Sequence, residues 1–131
     1  MAFFRPRVSR EAEVRYHSDQ EIAKGFGDKL ERLREAERRY RAVQASGAPV
    51  EELREVALGL DRALTDALRS AEAAQRATFG VKAYDDRIAR RKGRATPDGA
   101  LWTAEVNRLR TMREAHRLNI PRVPRAAAVI R

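Results

Sequence analysis

The chain has 131 residues, 43% of them hydrophobic, which is enough for one domain with a modest core, and 28 lysines and arginines against 19 acids give a formal charge of +9. Cysteine is absent, so disulfide frameworks and thiolate chemistry are excluded. No apolar run nears the roughly 18 residues a bilayer span needs, and Phe3 and Phe4 lead straight into Arg5, Pro6 and Arg7 instead of a signal-peptide core, so a non-membrane protein is expected. The positive charge favours polyanions: nucleic acid, acidic protein surfaces or anionic lipid.

Residues 1–17 read as an extended N-terminal arm. Pro6 and the early arginines disfavour a helix start, and the alternation of Val14 and Tyr16 resembles a single strand with nothing to pair with. Phe3 and Phe4 are candidate docking anchors for a neighbour; the competing reading is a frayed terminus or docking onto the same chain. Ser18 and Glu21 form a capping box that predicts a helix start, and Asp28 with Glu31 forms a second one. Between them Gly25-Phe26-Gly27 reads as a structural hinge, where either a short helix over 19–25 breaks, which two glycines favour, or one helix runs through a soft spot. The hinge has no preceding strand and lacks the Lys-Ser or Lys-Thr ending of a phosphate loop.

From Asp28, Leu30, Leu33, Ala36, Tyr40 and Val43 mark one helical stripe. Ser46-Gly47-Ala48-Pro49 stops it, with glycine as the left-handed cap and proline at the first position of the next helix. So short a connection predicts an antiparallel helical hairpin. The second helix of that hairpin, Pro49 to Phe79, is the longest uninterrupted pattern, about 45 Å of rod. Leu53, Ala57, Leu60, Leu64, Ala67, Ala71 and Ala74 line one face, and Glu51 and Glu52 oppose the dipole in the first turn. The alanine half of the stripe admits close neighbours but buries little area itself.

Phe79-Gly80 either caps the long helix or is a bend, with Val81, Tyr84 and Ile88 continuing a helical stripe to about Lys92, and Gly93 ends the helix that follows. Arg87, Arg90, Arg91, Lys92 and Arg94 make the densest positive cluster. Residues 80–95 hold six cations against Asp85 and Asp86, a local charge of +4. The two aspartates are expected to pair with nearby arginines. The cluster either holds phosphates without sequence preference or is a helix C-terminus favoured by the dipole. Lys92-Gly93-Arg94 bears a partial likeness to an arginine hook for the minor groove, without the flanking proline.

Thr96-Pro97-Asp98 starts a last helix with an N-cap, a proline and an acid in sequence. Its expected apolar face is Leu101, Trp102, Val106, Leu109, Met112 and Leu118, ending at Asn119 before Pro121. Residues 120–131 read as an extended basic C-terminal arm carrying Arg122, Arg125 and Arg131. Trp102, Thr103, Glu105 and Leu109 resemble the opening of the first helix of Myb-like DNA-binding domains over eight residues. Such a domain needs two further helices, and Pro121 and Pro124 interrupt the remainder of the chain, so no functional residue is carried over.

His17 and His116 stand almost a hundred residues apart with no zinc-site spacing around either. The serines lie in no nucleophile motif, and no metal or cofactor is expected. The expected fold is therefore all-α: a single helical domain over 18–119 built on the hairpin plus one or two further helices, with extended basic arms at 1–17 and 120–131. The expected function is non-enzymatic assembly, a helical adaptor in a larger complex such as a virion or nucleoprotein particle, with protein partners or further copies of itself and no small-molecule substrate. The alternative is a nucleic-acid-binding regulator or nucleoid-type protein using the cluster at 87–94. Either would work in the cytoplasm or inside an assembled particle.

Overall fold

The first helix begins at Ser9, whose hydroxyl accepts from the Ala12 amide at 3.0 Å while its own amide and hydroxyl donate to the Asp85 carboxylate at 3.0 and 3.3 Å. The computed structural model describes residues 8–124, and in it this helix, α1, runs Arg10–Lys24. The expected extended arm is thus corrected: residues 10–17 are helical, with Glu11 and Glu13 in the first turn. Ser18 and Glu21 lie inside α1 instead of capping it. Residues 1–7, with Phe3 and Phe4, lie outside the described residues.

Gly25 ends α1, and α2 follows at once over Phe26–Ala45. Phe26, read as part of a hinge, packs edge-on against Trp102 with ring centroids 5.1 Å apart. Leu33 is buried, with Leu30, Ala36 and Tyr40 half-buried beside it. Ser46 closes α2: its amide donates to the Ala42 and Val43 carbonyls and its hydroxyl to Val43 O at 2.8 Å. Gly47 takes the left-handed conformation, φ 71°, that a side chain would resist. Pro49 is the N-cap of α3, Val50–Phe79, one place earlier than expected.

All four other α-helices pack against α3. Its buried face, Ala57, Leu60, Leu64, Ala67, Leu68, Ala71 and Ala74, meets Leu33 of α2 and Val106 and Leu109 further on. Ser70 is buried on the same helix and donates to the Ile22 carbonyl at 3.0 Å, which ties in α1. Small residues at this end let backbones come within hydrogen-bonding reach, where a larger side chain would hold them apart.

Gly80 breaks the chain outright. Its φ of 101° and ψ of 159° are incompatible with a continuing helix, so of the two alternatives Gly80 caps α3 and the stripe through Val81, Tyr84 and Ile88 does not form. A single 3-10 turn, Val81–Tyr84, intervenes, and α4 spans Arg87–Ala95. Ile88 is left 61% exposed. Gly93 lies within α4 and does not end it. A Cβ there would sit 2.8 Å from Phe79 Cα, and one on Gly99 would collide with the Gly93 carbonyl, so the corner between α3, α4 and α5 closes only because both residues lack a side chain.

Thr96 accepts from the Gly99 amide at 3.0 Å and starts α5, Pro97–Leu118, with proline in its first turn. Val106 and Leu109 are buried and Trp102 and Met112 pack beside them. Leu101 and Leu118, expected on that face, are 68% and 88% exposed. At about 100° per residue Leu118 lies about 180° around the helix from Leu109, and Leu101 about 140° from Val106. Residues 120–124 have no regular structure, and Arg54 Nη1 donates to the Pro121 carbonyl at 2.7 Å. Residues 125–131 lie outside the described residues.

Leu64 is fully buried at the centre of this packing. Its replacement by alanine is expected to cost about 2–5 kcal/mol, whereas Leu118→Ala should change stability by less than about 0.5 kcal/mol. Urea unfolding followed by circular dichroism measures both, and equal losses would refute the placement of α5.

Candidate functional site

The basic cluster is presented by α4, and its local acids are already occupied. Asp86 is the N-cap, accepting from the Ile88 amide at 2.9 Å, and Asp85 accepts from Ser9. The expected pairing of these aspartates with nearby arginines is therefore corrected: neither forms an ion pair among the described residues. Nine residues of α4 contain five cations and no acid. Arg87 and Arg91, and Arg90 and Arg94, are spaced four apart, where like charges repel on a helix surface.

Tertiary contacts offset that repulsion. Arg90 Nη1 donates to the Ala83 carbonyl at 2.8 Å. The Arg94 guanidinium lies 5.7 Å from the Phe79 ring centroid, within cation–π range. Arg90 and Arg94 thus help to fix α4 on the corner at Gly80. Arg87, Arg91 and Lys92 are exposed and form no ion pair among the described residues, so they are the cations free to meet an anion.

Arg122 does not join this patch. Arg122 is exposed beside the Pro121 carbonyl held by Arg54, near the start of α3, whereas Gly93 abuts Phe79 at its end. Twenty-five residues of helix from Arg54 to Phe79 correspond to about 37 Å. Arg125 and Arg131 lie outside the described residues.

A second polar cluster was not visible in the sequence. Asp19 of α1 is buried to 6% exposure and accepts from Arg76 Nε and Nη2 at 2.8 and 3.0 Å and from the Tyr84 hydroxyl at 2.6 Å. The Arg15 guanidinium stacks 5.3 Å from the Tyr84 centroid, and Tyr16 meets the same ring edge-on at 6.1 Å. Arg15, Arg76, Phe79, Ala83, Tyr84 and Arg90 line a cavity of about 280 Å³ here. The members come from α1, α3 and the 3-10 turn, 57 and 65 residues from Asp19, and no local spacing signals them.

Burial alone would raise the Asp19 pKa, but hydrogen bonds from Arg76 and Tyr84 and the charges of Arg76 and Arg15 outweigh it and hold the carboxyl below its ordinary value. Burial and the Asp19 hydrogen bond push the Tyr84 phenol well above its usual range. A carboxylate that accepts three hydrogen bonds and is held ionised is poorly placed to abstract a proton; this cluster joins elements together. His116 Nε2 lies 2.7 Å from the Ala57 carbonyl and its ring meets Tyr40 edge-on at 5.2 Å, while His17 lies 3.2 Å from Gln20 Oε1. Among the described residues no three His, Asp or Glu side chains are grouped to hold a metal, and no helix is long and apolar enough to cross a membrane.

Because the folded-state pKa of Asp19 is depressed, its stabilisation is fully present above the ordinary carboxylate value of 3.8 and is lost as pH falls below it. Asp19→Asn should lower the melting temperature at neutral pH and flatten its fall in acid. Thermal melts across that range would contradict the assignment if both proteins lost stability in parallel. No protein family, curated protein or solved structure matches this chain.

Proposed function

We propose that the protein is a non-enzymatic assembly protein, a helical adaptor that docks into a larger complex, with α2 and α3 acting as an antiparallel hairpin that packs against protein and α4 meeting an anionic partner. A virion or nucleoprotein particle is the concrete form of such a complex, and the cytoplasm or the particle interior its setting. The observation that carries the reading is the state of α4. Its neighbouring carboxylates are taken up in capping and in the Ser9 contact, so Arg87, Arg91 and Lys92 stand unneutralised on an exposed helix. Desolvating such cations is favourable only against negative charge. The titratable groups with shifted pKa values that lie away from α4 are matched to one another, which supports binding over catalysis.

The second reading, a nucleic-acid-binding regulator or nucleoid-type protein, is favoured by the same helix, since five cations without an acid suit a phosphate backbone. Salt dependence separates the two. Arg87, Arg91 and Lys92 can be replaced by alanine together without touching the contacts of Arg90 and Arg94. If DNA is the partner, the triple variant should bind all sequences more weakly and flatten the slope of log affinity against log salt by up to about 3 units. If the partner is an acidic protein surface, the same variant should fail to co-purify with its complex after nuclease treatment while any weak DNA binding keeps its slope. A variant unchanged in both assays would remove α4 from the function.

A further inference from the structure

α2 and α3 leave a groove of about 610 Å³ between them on the side away from α5. Its floor is small and apolar: Ala36, Val43, Val56, Gly59 and Ala63, all partly exposed. Such a floor admits a close-packed helix, and burying it would remove apolar surface from water. The rim is charged, and the charges are sorted by wall. The α2 wall carries Lys29, Arg32 and Arg39 with Glu35, net +2, and the α3 wall carries Glu52, Glu55 and Asp66 with Arg62, net −2. Glu35 pairs with Arg38 outside the groove. The other seven form no ion pair among the described residues, although the walls are of opposite sign.

A groove with one cationic and one anionic wall is neutral as a whole, so it does not suit a polyanion. It suits a partner with the same two stripes reversed. A second copy of the chain supplies one, provided the two-fold axis runs parallel to the helices. That axis lays α2 of each copy over α3 of the other, cation against acid. An axis across the helices would stack α2 on α2 and α3 on α3, like on like, at a repulsive cost. We infer that the outer face of α2 and α3 is a self-association surface, on which two copies pack as a four-helix bundle with a two-fold axis along the helices. This rests on the assembly reading above and deepens it by naming the partner of that face.

The test uses the purified full chain in sedimentation equilibrium, with circular dichroism to show that each variant folds. The wild type should be a dimer. Reversing α2 (Lys29→Glu with Arg39→Glu) or α3 (Glu55→Arg with Asp66→Lys) should weaken it at least about tenfold. All four changes in one chain should restore it, and a mixture of the two singly reversed chains should form a heterodimer. Gly59→Gln gives an independent arm. A Cβ there has Arg62 Nη2 at 3.7 Å as its nearest contact, so the helix accepts the side chain, which then fills the groove. That variant should be monomeric with its helix content intact and a melting temperature that no longer depends on protein concentration. A wild type that stays monomeric at every concentration, or a dimer indifferent to both reversals and to Gly59→Gln, overturns the inference. Co-purification of a monomeric wild type with a larger complex would overturn self-association alone and leave the assembly reading standing.

Discussion

Alanine on α3 sets the terms on which the rest of the chain packs. From Ala67 to Ala74 the buried positions are mainly alanine, with Leu68 and Ser70 among them. Each methyl group removes little area from water, so this half of the helix cannot hold its neighbours by burial alone. What it offers is proximity. α1 comes near enough for Ser70 to reach the Ile22 carbonyl, and Arg76 is near enough to Asp19 for a two-pronged ion pair. The leucine half, around Leu60 and Leu64, supplies the conventional core with Leu33, Val106 and Leu109. One helix thus uses two kinds of cohesion along its length, hydrophobic at the start and close polar contact toward the end.

The features legible in the sequence were those whose cause is local. The stripe of α3, the stop at Ser46-Gly47 and the Thr96 cap of α5 depend on residues within one or two turns, and they stand where the pattern put them. Leu101 and Leu118 were misplaced on local helix phase alone, and the other misplaced features depend on distant partners. Ser9 starts α1 with Asp85, 76 residues away, holding its amide, so the local capping box at Ser18 was the more visible signal and the wrong one. At Gly80 a permissive residue and a continuing apolar period looked alike, and only the positive φ distinguishes a break from a bend. Gly93 looked like a terminator because glycine commonly is one; its role is set by Phe79, which sequence spacing does not bring to mind.

The candidate site divides along the same line. Composition alone identified the cations of α4, since five in nine residues is visible in any window. Their division of labour was not visible. Arg90 and Arg94 are drawn inward by a carbonyl and an aromatic ring belonging to the preceding segment, and Asp85 and Asp86 are drawn away into backbone contacts. The Asp19 cluster had no signature at all, because Asp19, Arg76 and Tyr84 are ordinary residues until three elements bring them together.

The corner at Gly93 and Gly99 bears on how α4 behaves in time. A nine-residue helix is shorter than the roughly 12–15 residues that make an isolated helix even marginal, and this one is weakened further by its own charge. Its order is lent by packing against the 3-10 turn, α5 and α3, by the Asp86 cap, and by the contacts of Arg90 and Arg94. An anion bound across Arg87, Arg91 and Lys92 would neutralise the repulsion that favours opening, so occupancy of the surface and order of the helix are linked. The amide hydrogens of α4 would then exchange more slowly when the surface is covered than when it is bare.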